Sequence, residues 1–225
     1  MTKLKTIFFA ASALALLGVS ACKDPSDGTG GGTGAPPDAP FVEGGASLIL
    51  SPDKLDITVK GTTADGTSVT VEGCTETTLI SGIETVLHAK GSLVILKGKI
   101  TSLDCSVNRL NSLNVQGLTA LQVLSCVGNR LTELNVQGLT ALKELLCGEN
   151  QLNADAFKKL FNDLPVRADS DNASCYLYTE RTDDTEGNHT YFSAPPDLSD
   201  AFNNAKTVKK WKMYKYNGNW PWEEI

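Results

Sequence analysis

The nonapeptide Leu113-Asn114-Val115-Gln116-Gly117-Leu118-Thr119-Ala120-Leu121 recurs without change at 134–142, a shift of 21 residues. The same shift relates leucine, cysteine and asparagine positions in three copies between residues 100 and 164. These positions are Leu103, Leu124 and Leu145; Cys105, Cys126 and Cys147; Asn108, Asn129 and Asn150; and Leu110, Leu131 and Leu152. One unit of this length cannot bury its apolar side chains alone, so the pattern predicts stacked units with a shared core.

The second copy has the pattern L-x-x-L-x-C-x-x-N-x-L, running from Leu121 to Leu131. This pattern resembles a leucine-rich repeat, similar in period to bacterial internalin-type surface proteins. The resemblance covers residues 100–164, under a third of the chain. It implies an α/β, mainly β fold: a short leucine-rich-repeat solenoid with parallel strands, an N-terminal β cap and a C-terminal α/β cap.

The alternation of side chains along a strand divides each repeat into two faces. A strand at 123–127 would direct Leu124 and Cys126 inward and expose Val123 and Val127 on a solvent-facing surface. The asparagine column should turn inward and satisfy backbone groups at each bend. Cysteines 105, 126 and 147 and asparagines 108, 129 and 150 are therefore expected to form structural ladders.

The flanks of the repeats carry other signals. Residues 47–99 alternate apolar and polar side chains in several short runs, which predicts an N-terminal β cap region. After Leu152, apolar residues at helical spacing between Asn153 and Pro165 predict a helix that closes the repeats at residue 164. Residues 165–225 should form the C-terminal cap, with a strand at 175–178, a helix at 198–205 and a strand at 210–216.

The first 46 residues read as an export and anchoring segment. Residues 1–21 combine Lys3 and Lys5 with a short apolar run and small residues, which is typical of a signal peptide. Val19-Ser20-Ala21-Cys22 resembles a bacterial lipobox, which implies a lipid on Cys22 and membrane attachment through it. Residues 22–46 are rich in Gly and Pro and predict a flexible tether. Together these features predict an outer-membrane lipoprotein of a bacterial envelope, exposed at the cell surface.

Charge and composition exclude several classes of function. The chain has a net charge of −6, and removal of the leader leaves 18 basic and 26 acidic residues, or −8. This balance argues against a nucleic-acid partner. Only two histidines occur, and no nucleophile-elbow, zinc-protease or phosphate-loop motif is present. We therefore expect no enzymatic activity, no cofactor and no metal.

The cysteines admit more than one interpretation. With Cys22 lipidated, five remain, and three of these lie in the inward column. Adjacent strands lie about 4.8 Å apart, so disulfides are possible by distance, although buried thiols that pack as small apolar groups fit the pattern better. A bridge between Cys74 and Cys175 stays open at this stage.

Two surfaces are candidates for ligand contact. The first is the solvent-facing side of the repeats, through Val123, Val127 and Leu146. The second is the aromatic C-terminus, where stacking residues are interleaved with lysines; its candidates are Trp211, Tyr214, Trp220 and Trp222. Alternatively, these aromatics seal the end of the fold. The sequence thus predicts a non-enzymatic binding module for a protein or glycan, or else a structural envelope lipoprotein with no specific ligand.

Overall fold

The structure is a computed structural model that describes residues 38–181, 185–218 and 221–225. Strands come first along the chain, at Gly45–Ile49 (β1), Asp56–Thr63 (β2), Val69–Glu72 (β3), Thr78–Leu79 (β4), Glu84–His88 (β5), Leu93–Lys97 (β6), Ile100–Asp104 (β7), Ser112–Asn114 (β8), Val123–Ser125 (β9) and Glu144–Leu146 (β10). Helices and strands then alternate, at Ala154–Asp163 (α1), Ser174–Thr179 (β11), Pro196–Thr207 (α2), Lys212–Tyr216 (β12) and Glu223–Glu224 (β13), with a 3-10 turn at Asp169–Asp171.

The strands form two sheets. The smaller sheet has the order β4-β3-β6-β1-β8, and its neighbours all pair antiparallel. The larger sheet has the order β13-β12-β11-β10-β9-β7-β2-β5. Its central strands from β7 to β12 run parallel, whereas β2, β5 and β13 pair antiparallel at the two ends.

The predicted solenoid of parallel strands with separate caps is therefore wrong. The chain is a mixed α/β protein with one antiparallel sheet and one mixed sheet. The physical reason lies in the flank at residues 47–99, which contributes strands to both sheets instead of covering one end of the repeats. Its β2 pairs antiparallel with β7, so that Gly61 lies opposite Leu103, and its β1 pairs antiparallel with β8. Three short repeats leave sheet edges open, and these neighbours occupy them.

The core is built from the inward side chains of both sheets. Leu103, Leu124 and Leu145 lie opposite one another in β7, β9 and β10 and are inaccessible to solvent. A second apolar region joins the helices, where Phe157 and Phe161 of α1 pack with Phe192 and Phe202 at centroid distances of 5.1–5.6 Å. Helix α1 begins after Asn153, whose side chain accepts a hydrogen bond from Ala156 N and so caps the first turn.

The fold begins before the predicted boundary at residue 47. Ala39 is buried, and its N–H donates to Ser112 Oγ at 2.9 Å while its carbonyl accepts from Asn114 Nδ2 at 3.1 Å. Ser47 Oγ also donates to the carbonyl of Pro40. The last residues of the predicted 22–46 tether are thus packed against β1 and β8, because polar groups at the edge of the smaller sheet satisfy their backbone. The earlier tether residues, 22–37, lie outside the described part of the chain.

Candidate functional site

The candidate site is the open face of the larger sheet, which we define as the face opposite the core. Alternation along β9 sends Leu124 into the core and leaves Val123 and Ser125 half-buried on the other side. The same alternation holds in β10, where Glu144 and Leu146 flank the buried Leu145. The open face is therefore continuous across the parallel strands.

One file of side chains crosses the open face from edge to edge. Its members are register partners in successive strands, with strand axes about 4.8 Å apart. In order they are Glu84, Lys60, Asp104, Ser125, Leu146, Tyr176, Tyr214 and Glu224. The file changes from charged, through hydroxyl and aliphatic, to aromatic, so the two ends of the face offer different chemistry.

The polar end is a groove of about 380 Å³ where β2, β5 and β7 meet. Asp104 and Ser106 line it, and Asp104 Oδ1 accepts from Ser106 N at 3.0 Å. Beside the groove, Ser106 Oγ lies 2.8 Å from Ser125 Oγ. Lys54 closes one side by donating from Nζ to the carbonyl of Val107 at 2.6 Å. The remaining lining side chains are Thr58, Lys60 and Glu84. Such a groove can donate hydrogen bonds to a ligand and accept them.

The other end carries an aromatic cluster, which we define as Tyr176, Tyr214, Tyr216 and Trp222. Tyr176 and Tyr214 stack at 5.1 Å with an interplanar angle of 20°, and Trp222 meets Tyr176 at 4.8 Å and 67°. Trp222 also contacts Tyr216 at 4.9 Å. All four side chains are half-buried, so each keeps some ring surface at the open face. Aromatic surface of this kind stacks on sugar rings and packs against apolar protein surfaces.

Charged groups surround the aromatic cluster. Lys215 Nζ lies 3.0 Å from Glu180 and 3.4 Å from Glu223, and the hydrogen bond that Lys215 donates to Glu180 raises the pKa of Lys215. Burial, with the carboxylate of Glu224 nearby, raises the pKa of Tyr214. Tyr214 is therefore neutral near pH 7 and can act as a hydrogen-bond donor.

Only some of the residues that were predicted to contact a ligand lie on the open face. Val123, Val127 and Leu146 are half-buried on the open face, and Tyr214 and Trp222 belong to the aromatic cluster. The prediction that Trp211 contacts a ligand is wrong, because Trp211 is only 1% exposed and donates from Nε1 to the carbonyl of Pro165. Its ring belongs to the buried core and cannot reach a ligand in this fold. Trp220 lies outside the described residues.

Some residues of the polar groove and of the aromatic cluster were not predicted from the sequence. Tyr176 was assigned to a strand but not to the site, although its position in Ser174–Thr179 places it in register with Leu146 and Tyr214. The β2 and β5 residues of the polar groove carried no usable signal, because nothing in the local sequence shows that β2 pairs with β7.

The predicted ladders lie behind the open face. Cys105, Cys126 and Cys147 are inaccessible, and their thiols lie 3.5–3.6 Å from carbonyl oxygens of the next strand. Burial raises the pKa of Cys105 and Cys126 well above the usual value, and the contact with Cys175 and burial do the same for Cys147. All five described cysteines are free thiols, including Cys74 and Cys175, so the bridge left open by the sequence is not formed.

The asparagine ladder satisfies backbone groups at the bends. Asn129 Oδ1 accepts from the N–H groups of Asn108 and Leu110, and its Nδ2 donates to the carbonyls of Cys105 and Cys126. Asn108 and Asn150 bond in a similar way, to Thr58 at one end and to Leu131 at the other. Sequence reasoning missed a fourth member, Asn188, which accepts from Leu152 N and donates to the carbonyls of Cys147 and Leu177. The intervening helix breaks the 21-residue spacing that would have revealed it.

Two remaining features of the described residues concern metal binding and membrane insertion. Across the described residues, no group of three or more His, Cys, Asp or Glu side chains is arranged to hold a metal ion. No helix within residues 38–181, 185–218 and 221–225 is long and apolar enough to cross a membrane. Cys22 and the predicted leader lie outside these residues. No protein family, curated protein or solved structure matches this chain.

Proposed function

We propose that this chain is a lipid-anchored protein of a bacterial cell envelope that binds a glycan or protein ligand, without catalysis, on the open face of the larger sheet. The anchor rests on the lipobox-like segment ending at Cys22. The binding role rests on the open face itself, which joins a polar groove to an aromatic cluster across one uninterrupted file of side chains.

The chemistry of the file indicates the kind of ligand that suits it. Hydroxyl and carboxylate groups at Ser106, Ser125 and Asp104 hydrogen-bond to hydroxylated ligands, whereas Tyr176, Tyr214 and Trp222 offer aromatic surface. Sugars present hydroxyl groups and apolar C–H faces together, so glycans come first in a screen and protein partners second. The half-buried aliphatic side chains of Val123 and Leu146 connect the two ends.

The test of binding is a glycan and protein array screened with the purified full chain in detergent. The double variant Val123→Lys with Leu146→Glu places charges in the middle of the open face, and we expect it to lose at least tenfold in affinity with little change in melting temperature. The matched control is Thr70→Lys with Thr78→Glu, an exposed cross-strand pair in the smaller sheet. Equal loss of affinity in both double variants would contradict the assignment of the site, and a large loss of stability in the first would show that the face is covered.

One observation favours the alternative of a structural envelope lipoprotein. The aromatic cluster is packed on itself, with Tyr176 contacting both Tyr214 and Trp222, and this arrangement seals the end of the sheet without any ligand. The array separates the two functions, because a structural protein gives no saturable signal. A signal that is lost in Val123→Lys/Leu146→Glu and retained in the control supports the binding module.

The anchor has its own test. In a bacterial host, the full chain should incorporate a palmitate analogue and partition into detergent, and Cys22→Ala should do neither. The matched control is Cys74→Ala, because the pKa of the buried Cys74 is raised to about 11 by burial, so its thiol is a poor nucleophile. Labelling that persists in Cys22→Ala would overturn the lipid anchor and leave the binding proposal untouched.

A further inference from the structure

A groove of about 280 Å³ lies beside the second copy of the repeated nonapeptide, at residues 134–142. On one side it is lined by Glu133, Leu134 and Asn135, and on the other by the first turn and a half of α1, including Asp155 and Lys159. This groove is far from the file on the open face, because the nonapeptides run along the opposite side of the repeats, next to the smaller sheet.

The first copy of the nonapeptide, at 113–121, shows what such a surface binds. It holds an extended segment of the chain itself: Ala39 N donates to Ser112 Oγ at 2.9 Å, and Asn114 Nδ2 donates to the carbonyl of Ala39 at 3.1 Å. Gly117 lies directly beneath the carbonyl of Val42, where a Cβ would overlap it. The first copy thus holds the segment at 39–42 through its backbone groups.

The second copy presents the same asparagine amide without an occupant. Asn135 Oδ1 accepts from Gln137 N at 3.0 Å, as Asn114 Oδ1 accepts from Gln116 N at 3.1 Å, so the two amides are held in the same way. Among the described residues Asn135 Nδ2 has no hydrogen-bond partner. The glycine differs between the copies, because Gly138 has φ +83° and nothing within 4 Å of the position of a Cβ, whereas Gly117 is not in the left-handed region. Gln137 and Gly138 are exposed, whereas Gln116 and Gly117 are half-buried.

One substitution between the copies selects the charge of the occupant. Glu133 stands where the first copy has Ser112, the acceptor for Ala39 N. Glu133 is exposed and has no ion-pair partner in the described part of the chain. Lys159 is already paired with Asp163 at 2.6 Å, and Lys158 is shared between Asp197 at 2.8 Å and Asp155 at 3.3 Å. The groove therefore carries net negative charge next to the unoccupied amide.

We infer that this groove binds an extended segment of a partner protein that carries a basic residue. The backbone of that segment would lie along Asn135 as the backbone of Ala39 lies along Asn114, and the basic side chain would face Glu133. Charge excludes the corresponding segment of a second copy of this chain, because its Asp38 would bring a carboxylate against Glu133. The site does not depend on the open face or on its ligand.

The test uses two blocked peptides, Gly-Lys-Ala-Pro-Phe-Val and Gly-Asp-Ala-Pro-Phe-Val, whose binding to the full chain is measured by saturation-transfer NMR. The first nonapeptide stays filled by its own segment, since a tethered ligand has a high effective concentration. We expect the Lys peptide to bind about fivefold more tightly than the Asp peptide at low salt, with the difference reduced at high salt. Equal affinities, or no detectable binding of either peptide, would overturn the proposal.

Two variants locate the site. Glu133→Gln should remove the preference for the Lys peptide, and this exposed substitution leaves the fold intact. Asn135→Leu should weaken both peptides about fivefold, because one backbone hydrogen bond is lost. The matched control is Asn162→Leu, on an exposed position of α1 outside the groove. Binding that is unchanged in Glu133→Gln and Asn135→Leu, or lost equally in Asn162→Leu, would show that the peptide binds elsewhere.

Discussion

Two successive repeats, residues 101–121 and 122–142, share an identical nonapeptide and have different surroundings. Inside the fold they are alike: Leu118 and Leu139 are both buried, and the turn hydrogen bonds from Leu118 to Val115 and from Leu139 to Val136 recur. Outside they differ, because the first nonapeptide pairs with β1 and carries the segment at 39–42, whereas the second is open. The period of the sequence determines what each repeat buries, and distant segments determine what each repeat shows to solvent.

We expect neither repeat to tolerate a charge at its buried cysteine, Cys105 or Cys126. Cys105→Asp and Cys126→Asp each place a carboxylate at a position with no solvent access, at a cost above about 4 kcal/mol. Neither variant should unfold cooperatively in a urea titration followed by circular dichroism. Cys105→Ala and Cys126→Ala remove only the sulfur and should cost about 1 kcal/mol. A folded, cooperative Asp variant in either repeat would mean that its cysteine faces solvent.

Equivalent leucines of the two repeats should contribute equally to the free energy of unfolding. Leu118→Ala and Leu139→Ala each remove a buried side chain of the repeated nonapeptide, and each should lower the free energy of unfolding by about 2–5 kcal/mol. The two losses should agree within about 1 kcal/mol, measured by urea unfolding. A clearly larger loss in the first repeat would show that the segment at 39–42 stabilises the core as well as covering the surface.

The sequence predicts the inside of the molecule better than its outside. Helix α1 follows from Asn153 and the spacing of the apolar residues after it, and the inward column of cysteines follows from a two-residue alternation. Both patterns are local. The pairing of β2 with β7 joins residues about 40 positions apart, such as Lys60 and Asp104, and no local pattern records it. With that pairing, the larger sheet is mixed and is not the solenoid of parallel strands that the sequence predicts.

In the candidate site, too, features set by local patterns were predicted from the sequence and features set by distant contacts were not. Val123 and Leu146 were placed on the solvent-facing side by alternation alone, and the structure has both half-buried on the open face. Trp211 was misassigned because an aromatic residue among lysines has the same composition whether it covers a core or contacts a ligand. Its burial depends on α1 and Pro165, about 46 residues earlier in the chain. The polar groove depends on β2 and β5, so it could not be found before the sheet order was known.

Substitution of the two equivalent glycines, Gly117 and Gly138, by alanine should have unequal effects on stability. In Gly117→Ala the new Cβ overlaps the carbonyl of Val42, which should cost about 1–3 kcal/mol or release the segment at 39–42. Gly138→Ala meets open space but has φ +83°, so only backbone strain of about 1 kcal/mol is expected. Limited proteolysis, read by mass spectrometry, should show cleavage near residue 40 in Gly117→Ala alone. Equal cleavage in both variants would contradict the docking of this segment.

A smaller difference is expected for the asparagines. Asn114→Ala and Asn135→Ala both lose the hydrogen bond that the backbone N–H two residues later donates to the side-chain oxygen. Asn114→Ala also loses the donation to the carbonyl of Ala39, so it should be less stable than Asn135→Ala by about 0.5–1.5 kcal/mol. Differential scanning calorimetry of the two variants measures this gap. Identical melting temperatures would mean that the segment at 39–42 gains nothing from the amide.

The smallest effect concerns Arg109 and Arg130, which occupy equivalent positions in the two repeats and both contact Asp53. Arg130 makes two contacts with the carboxylate, at 3.1 and 3.3 Å, and a third with Ser51, whereas Arg109 makes a single contact at 3.1 Å. Hydrogen bonds from Ser51 and Arg130 lower the pKa of Asp53 to about 2. Because this pKa lies below the usual value of 3.8, the stabilisation is complete above about pH 4 and is lost as the pH falls towards 2.

The pKa of Asp53 therefore reports which repeat holds the N-terminal flank. Arg130→Gln should raise this pKa towards 3.8, and Arg109→Gln should raise it less, as measured by carboxyl-carbon NMR between pH 1.5 and 6. Any accompanying loss of stability should be confined to the acid side of pH 4, because both variants keep Asp53 ionised at neutral pH. Equal shifts in the two variants would mean that Asp53 does not distinguish the repeats. A larger shift in Arg109→Gln would place the stronger link in the first repeat, where the segment at 39–42 already docks.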